Sequence, residues 1–212
     1  MKKACFFIFI TCLLFSCTAQ KHSSSNGWIS LFDGQSLTGW KVGNNAESFS
    51  VENGMIVAHG KTAHLFYDGD LKNHDFKNFE CKVDVMTKEK ANGGIYFHTL
   101  YQEKSWPAKG YEVQVNNSHT DWRRSGSLYG FSDVKELFVK DDEWFTEHII
   151  VQGKRVIIKL NDKVVVDYTE PENVQRSGGN AQRLLSSGTF ALQAHDPNSV
   201  VYFKNIRVKP LP

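Results

Sequence analysis

The sequence predicts an all-β fold, a two-sheet antiparallel sandwich or jelly roll, and three observations carry that expectation. From Trp28 onward the apolar residues recur mainly at every second position, the period of a strand that lays one face on a core. Gly, Asn and Asp pairs punctuate the chain about every eight to twelve residues, the spacing of short strands joined by tight turns. No long segment keeps a helical apolar period. With 212 residues, 41% of them hydrophobic, the chain can bury one large core. Neither an internal repeat nor a second domain is visible.

The first element is a processing signal. Lys2 and Lys3 precede an apolar stretch from Ala4 to Phe15, broken only by Thr11, and Leu14-Phe15-Ser16-Cys17 closes it. That stretch is shorter than the ~20 helical residues a bilayer needs, so residues 1–16 read as a signal peptide. The closing pattern resembles a bacterial lipobox, which would make Cys17 the lipidated first residue of the mature protein; the alternative is an ordinary secretory signal with a chance cysteine. Residues 17–26 are polar and Ser-rich, a flexible tether, and 27–212 form the body. The tether lacks the acidic run associated with surface export of some lipoproteins, so the expected location is the cell envelope, lipid-anchored and facing the periplasm. Only Cys81 remains in the body, which excludes an intramolecular disulfide. Loss of Lys2 and Lys3 balances the 25 basic against the 23 acidic residues, and a neutral surface makes no electrostatic bid for nucleic acid.

Within the body, Phe79 to Val85, Arg155 to Leu160 and Val200 to Val208 alternate cleanly. Hairpin turns are expected at Glu52-Asn53-Gly54, Gln152-Gly153-Lys154 and Asn161-Asp162-Lys163. Two long irregular stretches, Leu100 to Gly110 and Thr169 to Ser187, interrupt the strands. Loops of that length usually cover or build a site.

Three strands carry polar residues in a suggestive pattern. In Gly94-Ile95-Tyr96-Phe97-His98 the apolar Ile95 and Phe97 face one way, which turns Tyr96 and His98 the other way. The same alternation sets Glu112 and Gln114 against Tyr111, Val113 and Val115, and Gln193 and His195 against Phe190 and Leu192. If these strands are neighbours, a carboxylate, two amides and two imidazoles share one sheet face, a surface suited to proton transfer and sugar binding. Each has a plainer alternative. Glu112 and Gln114 could be ordinary solvent-face residues, His98 structural, and His195 a cap on the Asp196-Pro197 turn. Trp106 and Tyr101 could stack on a sugar or pin their loop; Arg123 and Arg124 could clamp a ligand or be solvated. No Cys-x-x-Cys, His-Glu-x-x-His, Gly-x-Ser-x-Gly or phosphate-cradling Gly-rich loop is present. The paired carboxylates of a retaining glucanase strand are missing too, since Glu112-Val-Gln114-Val-Asn116 offers one acid.

The order of motifs is similar to that of the 3-keto-disaccharide hydrolase domain family, which has a concanavalin A-like jelly roll. The matching pieces run from Ser30-Leu31-Phe32-Asp33-Gly34 and Gly39-Trp40 through Val51-Glu52-Asn53-Gly54 and Asn92-Gly93-Gly94-Ile95-Tyr96-Phe97 to Gly110-Tyr111-Glu112-Val113-Gln114. They continue with Gly126-Ser127-Leu128-Tyr129, Glu143-Trp144, Leu160-Asn161-Asp162 and Leu192-Gln193-Ala194-His195. The sequence departs from the pattern at His98, where many members carry Arg, and at Asn116, where many carry an acid. The resemblance implies hydrolysis of a 3-keto-glycoside: removal of the C2 proton, β-elimination of the C1 substituent, then hydration. It implies Glu112 or His195 as base, with His98, Lys109, Gln114, Tyr129, Gln193, Trp106 and Arg124 binding substrate. A divalent cation on Glu112, His98 and His195 could act as Lewis acid; no organic cofactor is implied. The expected partners are a carbohydrate, the membrane through Cys17, and a sugar 3-oxidoreductase that installs the ketone. The competing function is a non-catalytic, lectin-like carbohydrate-binding lipoprotein.

Overall fold

A computed structural model of the chain describes residues 26–212. The expected signal peptide, Cys17 and the tether up to Ser25 lie outside the described residues. The strands are β1 (Ile29–Ser30), β2 (Trp40–Val42), β3 (Phe49–Glu52), β4 (Met55–His59), β5 (Ala63–Tyr67), β6 (Phe79–Thr87), β7 (Asn92–Thr99), β8 (Tyr111–Asn116), β9 (Phe145–Gln152), β10 (Arg155–Leu160), β11 (Lys163–Thr169), β12 (Thr189–Ala194) and β13 (Val200–Pro210). Apart from three short 3-10 turns, the described residues contain no helix. All pairings are antiparallel, as the sequence predicts.

One sheet has the order β11-β10-β9-β6-β13-β4-β3, with β1 added on β13; the other runs β2-β5-β12-β7-β8. The expected hairpin turns join β3 to β4, β9 to β10 and β10 to β11. Asn53 and Gly54 take φ of 49° and 79° there, left-handed values that Asn and Gly adopt at least cost.

The core lies between the sheets. Phe79 meets Phe190 edge-on at 4.8 Å, and Phe97 stacks on Tyr111 at 5.7 Å. Each fully buried aromatic of this kind contributes about 1.5–3 kcal/mol. The outward faces of the two sheets differ. β6 alternates strictly between buried and half-buried residues, so its outer face meets water. In β7, β8 and β12 every residue is buried, because the long loops close over the outer face of that sheet.

Candidate active site

The covered face carries the polar residues singled out by alternation. Register sets Tyr96 opposite Glu112 and Gly94 opposite Gln114, while β12 brings Ala191 beside Tyr96. Gly94 is required here by space. A Cβ on it would lie 2.5 Å from Glu112 Oε1 and 3.1 Å from Glu112 Cγ, so the glycine leaves the hole into which the Glu112 side chain folds. There the carboxylate accepts from the Tyr96 hydroxyl (2.7 Å) and from Gln193 Nε2 (3.1 Å), and the same Gln193 nitrogen also donates to the Tyr96 oxygen (3.0 Å). Every contact presents a donor to Glu112, the arrangement of a proton acceptor. Burial pushes its pKa up to about 7, opposed by the Tyr96 and Gln193 hydrogen bonds and the Arg183 charge. A carboxylate poised near neutrality suits a general base. Burial, with the Glu112 charge next, raises the Tyr96 phenol well above its usual value, so Tyr96 stays protonated.

A cavity of about 220 Å³ opens over this cluster, lined by Asn92, Tyr96, Trp106, Glu112, Gln114, Asp121, Tyr129, Arg183 and His195. Of the residues expected from sequence, Glu112, Gln114, Tyr129, Trp106 and His195 therefore share one cavity, and Gln193 is bonded to its carboxylate. His195 Nδ1 pairs with Asp196 Oδ2 at 2.7 Å. That orients the ring and leaves Nε2 as its basic nitrogen. Asp196 also caps the turn, accepting from Asn198 N–H and the Ser199 hydroxyl.

Three expected residues lie elsewhere. His98 does not point with Tyr96. β12 pairs Ala191 with Tyr96 but Thr189 with Thr99, so β7 carries an extra residue, a bulge with His98 at φ 55°. Period-two reasoning fails across a bulge. The imidazole instead accepts from Ser186 N–H (3.2 Å) and donates to the Lys77 carbonyl (2.9 Å), and burial lowers its pKa to about 4. Lys109 Nζ donates to the Ser187 carbonyl, tying the two long loops together outside the cavity. Arg124 Nη1 is spent on Asn116 Oδ1 and on the carbonyls of His119 and Asp121. Asn116, standing where an acid was expected, holds that same loop: its amide donates to the Asp121 and Arg123 carbonyls.

Other residues enter unannounced. Arg183, from the 169–187 loop, is the one permanently cationic side chain lining the cavity, 5.8 Å from the centre of the Tyr96 ring. Its loop is anchored by buried Glu170, which accepts from the Tyr111 hydroxyl, Lys154 Nζ (3.0 Å) and Leu185 N–H. Asn92 shares the Tyr96 face and accepts from Gln114 Nε2 at 3.1 Å; the alternation that exposes Tyr96 would have found it. His64, opposite Gln193 on β5, lies buried under Trp106 with ring centres 5.4 Å apart. Burial drops its pKa to about 3.

Among the described residues, His119, His195 and Asp196 bring ligand atoms within 4.8 Å of one another and could hold a cation. The set expected from sequence does not assemble: His98 is elsewhere and Glu112 is engaged by Tyr96 and Gln193. The new trio is also committed. Asp121 N–H (3.1 Å) points at His119 Nδ1, and Asn92 Nδ2 lies 3.3 Å from it. A backbone N–H can only donate, so Nδ1 accepts and Nε2 carries the proton. Ligation by His119 would cost the Asp121 bond either way, by displacing it at Nδ1 or, through Nε2, by requiring the other tautomer.

Fold and cavity together define a jelly-roll protein with a desolvated carboxylate, a histidine–aspartate pair and a single arginine around one polar hollow. The chain belongs to the family described as the 3-keto-alpha-glucoside-1,2-lyase-like domain, whose model matches residues 27–209. It is 27% identical to a 3-keto-disaccharide hydrolase of Bacteroides thetaiotaomicron, over 88% of this chain and 79% of that one. The fold matches a crystal structure from Parabacteroides distasonis assigned as a candidate glycosyl hydrolase (TM-score 0.74, 23% identity, 88% of this chain and 94% of that one). It also matches the carbohydrate-binding module CBM66 of Bacillus subtilis (TM-score 0.56, 15% identity, 81% and 95%). One sandwich thus carries enzymes and binding modules alike, and the site must decide between them.

Proposed function

We propose that the protein hydrolyses 3-keto-glycosides, starting with proton abstraction next to the ketone. The observation that carries this reading is the buried Glu112 carboxylate, surrounded by donors and held near a neutral pKa in the same cavity as Arg183. Glu112 takes the proton from C2, and the electron pair moves toward the C3 oxygen, where the Arg183 guanidinium stabilises the developing enediolate. Collapse of the enediolate forms the C1–C2 double bond and breaks the bond from C1 to the leaving oxygen, which takes the Nε2 proton of a His195 imidazolium held by Asp196. Water then adds its hydroxyl to C1 and returns its proton to His195 Nε2, C2 is reprotonated as Glu112 gives up a proton, and the net change is hydrolysis. Gln193 and Tyr96 keep the carboxylate aimed; Gln114, Asn92 and Tyr129 offer hydrogen bonds to sugar hydroxyls. No step passes through a cation.

The test is turnover of 3-keto-trehalose in D2O with EDTA present. The product 3-keto-glucose should carry deuterium at C2 by NMR, and EDTA should leave the rate unchanged. Hydrolysis without deuterium at C2 would overturn the proton-abstraction reading. Binding without any turnover would favour a lectin, the reading to which the exposed face of Trp106 lends itself.

The proposed setting is the bacterial envelope, anchored through lipid on Cys17 and facing the periplasm, and it is supported by the Leu14-Phe15-Ser16-Cys17 pattern. A Cys17→Ser variant should lose fatty-acid labelling and leave the membrane fraction. A sugar 3-oxidoreductase would supply the ketone on which the chemistry depends.

A further inference from the structure

We propose that a second hollow, on the far side of the Trp106 indole, seats the leaving group, and that it takes a polyhydroxylated group, a hexose, in preference to an aromatic one. This inference rests on the 3-keto-glycoside reading above. The hollow measures about 450 Å³, and its walls are Asn44, Asn45, Lys61, Thr62, Ser105 and Pro197. Trp106 lines both hollows and stands between them.

Strand register makes the two hollows consecutive. β5 and β12 pair Gln193 with His64 and Ala194 with Ala63. Thr62, the residue just before β5, donates through its hydroxyl to the His195 carbonyl at 2.7 Å. The sheet order is β8-β7-β12-β5, and the Glu112 side chain folds over Gly94 of β7 to meet Gln193 of β12; a ligand with its reacting carbon over that carboxylate extends past Trp106 toward Thr62 and the second hollow. The cleaved bond would lie beside His195, the proton donor to the departing oxygen.

The walls are held firmly. Asn45 Nδ2 donates to the Thr62 carbonyl (2.9 Å), and Asn44 N–H donates to the Glu103 carbonyl (2.7 Å), fixing the Trp106 loop to this side of the molecule. That loop approaches so closely that a Cβ on Gly43 would lie 2.6 Å from the Glu103 oxygen. Gln102 secures the loop internally through the Trp106 carbonyl and Ala108 N–H.

The lining chemistry selects the occupant. Amides, hydroxyls and one ammonium face the hollow, with no carboxylate to hold a cation. The Asn44 side chain and Lys61 Nζ have no protein partner among the described residues, so both are free to bind ligand hydroxyls. Apolar surface is limited to Pro197 and the indole, whose face can stack on a pyranose or an aryl ring alike, so the preference for a hexose comes from the polar lining, which a nitrophenyl ring cannot satisfy.

The experiment compares two 3-keto-glucosides that differ only in leaving group, one a hexose and one 4-nitrophenol, on the native protein and on an Asn44→Ala, Lys61→Ala double variant. Lys61 is exposed and Asn44 half-buried, and matching melting curves check the fold. The expected result is a fall in kcat/KM of about tenfold for the hexose substrate, with the aryl substrate within twofold. Equal losses on both substrates, or none, would overturn the proposal. If the native protein cleaves neither compound, the hydrolase reading fails, and calorimetry with the same pair then judges the hollow by itself. Tighter binding of the hexosyl compound, with that preference lost in the double variant, supports the site. Equal affinities, or a preference that survives the substitutions, refutes it.

Discussion

The two sheets are built from similar strands and differ in what covers their outer faces. On the sheet centred on β6 and β13, water covers it, and polar residues there form exposed or half-buried pairs, such as Arg155 with Asp167 and Lys209 with Glu80. On the sheet containing β7, β8 and β12, loops 100–110 and 169–187 take the place of water. A polar side chain on that face cannot be solvated, so each must find protein or ligand. Glu112, Gln114, Gln193 and Asn92 are buried for this reason, and their mutual bonds are the site. The comparison teaches that the chemistry comes from the cover: the same alternation gives a solvated surface on one sheet and a desolvated acid–base cluster on the other.

The sharpest way to break the comparison is to remove the group the cover desolvates. Glu112→Gln should lower kcat by about 10²–10⁴-fold, the usual worth of a general base, while substrate affinity changes by only a few-fold. Single-turnover kinetics would separate the two. The native rate should rise with pH through about 7 as the Glu112 carboxylate forms. A native protein with no such limb between pH 6 and 8 would remove Glu112 from the role of base.

A smaller loss should follow from Gly94→Ala. The new methyl would occupy the place of Glu112 Oε1, 2.5 Å from its Cβ, and push the carboxylate off Gln193. Overpacking of this kind costs about 1–3 kcal/mol, and a displaced base should lower kcat by about 10²-fold. A comparable exchange on the water-covered face, Lys82→Ala, should change stability by no more than about 0.5 kcal/mol and leave kcat alone. Chemical denaturation and initial rates on both variants test the contrast.

The same difference in cover explains what could be read from sequence. Where water covers a face, burial alternates, and Phe79 to Val85 announced β6 directly. Glu112, Gln114, Gln193 and His195 were found because their strands keep a strict period of two. His98 was misplaced because a bulge breaks that period, and a bulge has no apolar signature. Arg183 and Asp121 were invisible because loops bring them to the cavity from distant points in the chain. His64 was hidden in Ala63-His64-Leu65-Phe66-Tyr67, a strand buried on both faces. Arg124 looked available because sequence does not reveal that loop carbonyls already occupy its guanidinium.

Glu147 sharpens the comparison from the other side, since it lies on the inward face of the water-covered sheet. Its carboxyl is fully buried and neither oxygen has a partner; the Gly126 N–H that approaches it donates to the Gln114 carbonyl at 2.9 Å. Burial therefore raises its pKa well above 4.5. The sign follows from linkage: a group with a raised folded pKa adds stability that is fully present below its unfolded value and is lost as pH climbs through the folded one. Glu147→Leu, which keeps the volume and removes the charge, should stabilise the protein by about 1–3 kcal/mol at pH 8. The gain should shrink toward pH 4, where the native carboxyl is protonated in both states. Thermal melts of the two proteins at pH 4, 6 and 8 measure it. A gain that did not change with pH would mean that the Glu147 carboxyl titrates alike in the folded and unfolded chain, and the benefit would then be one of packing alone.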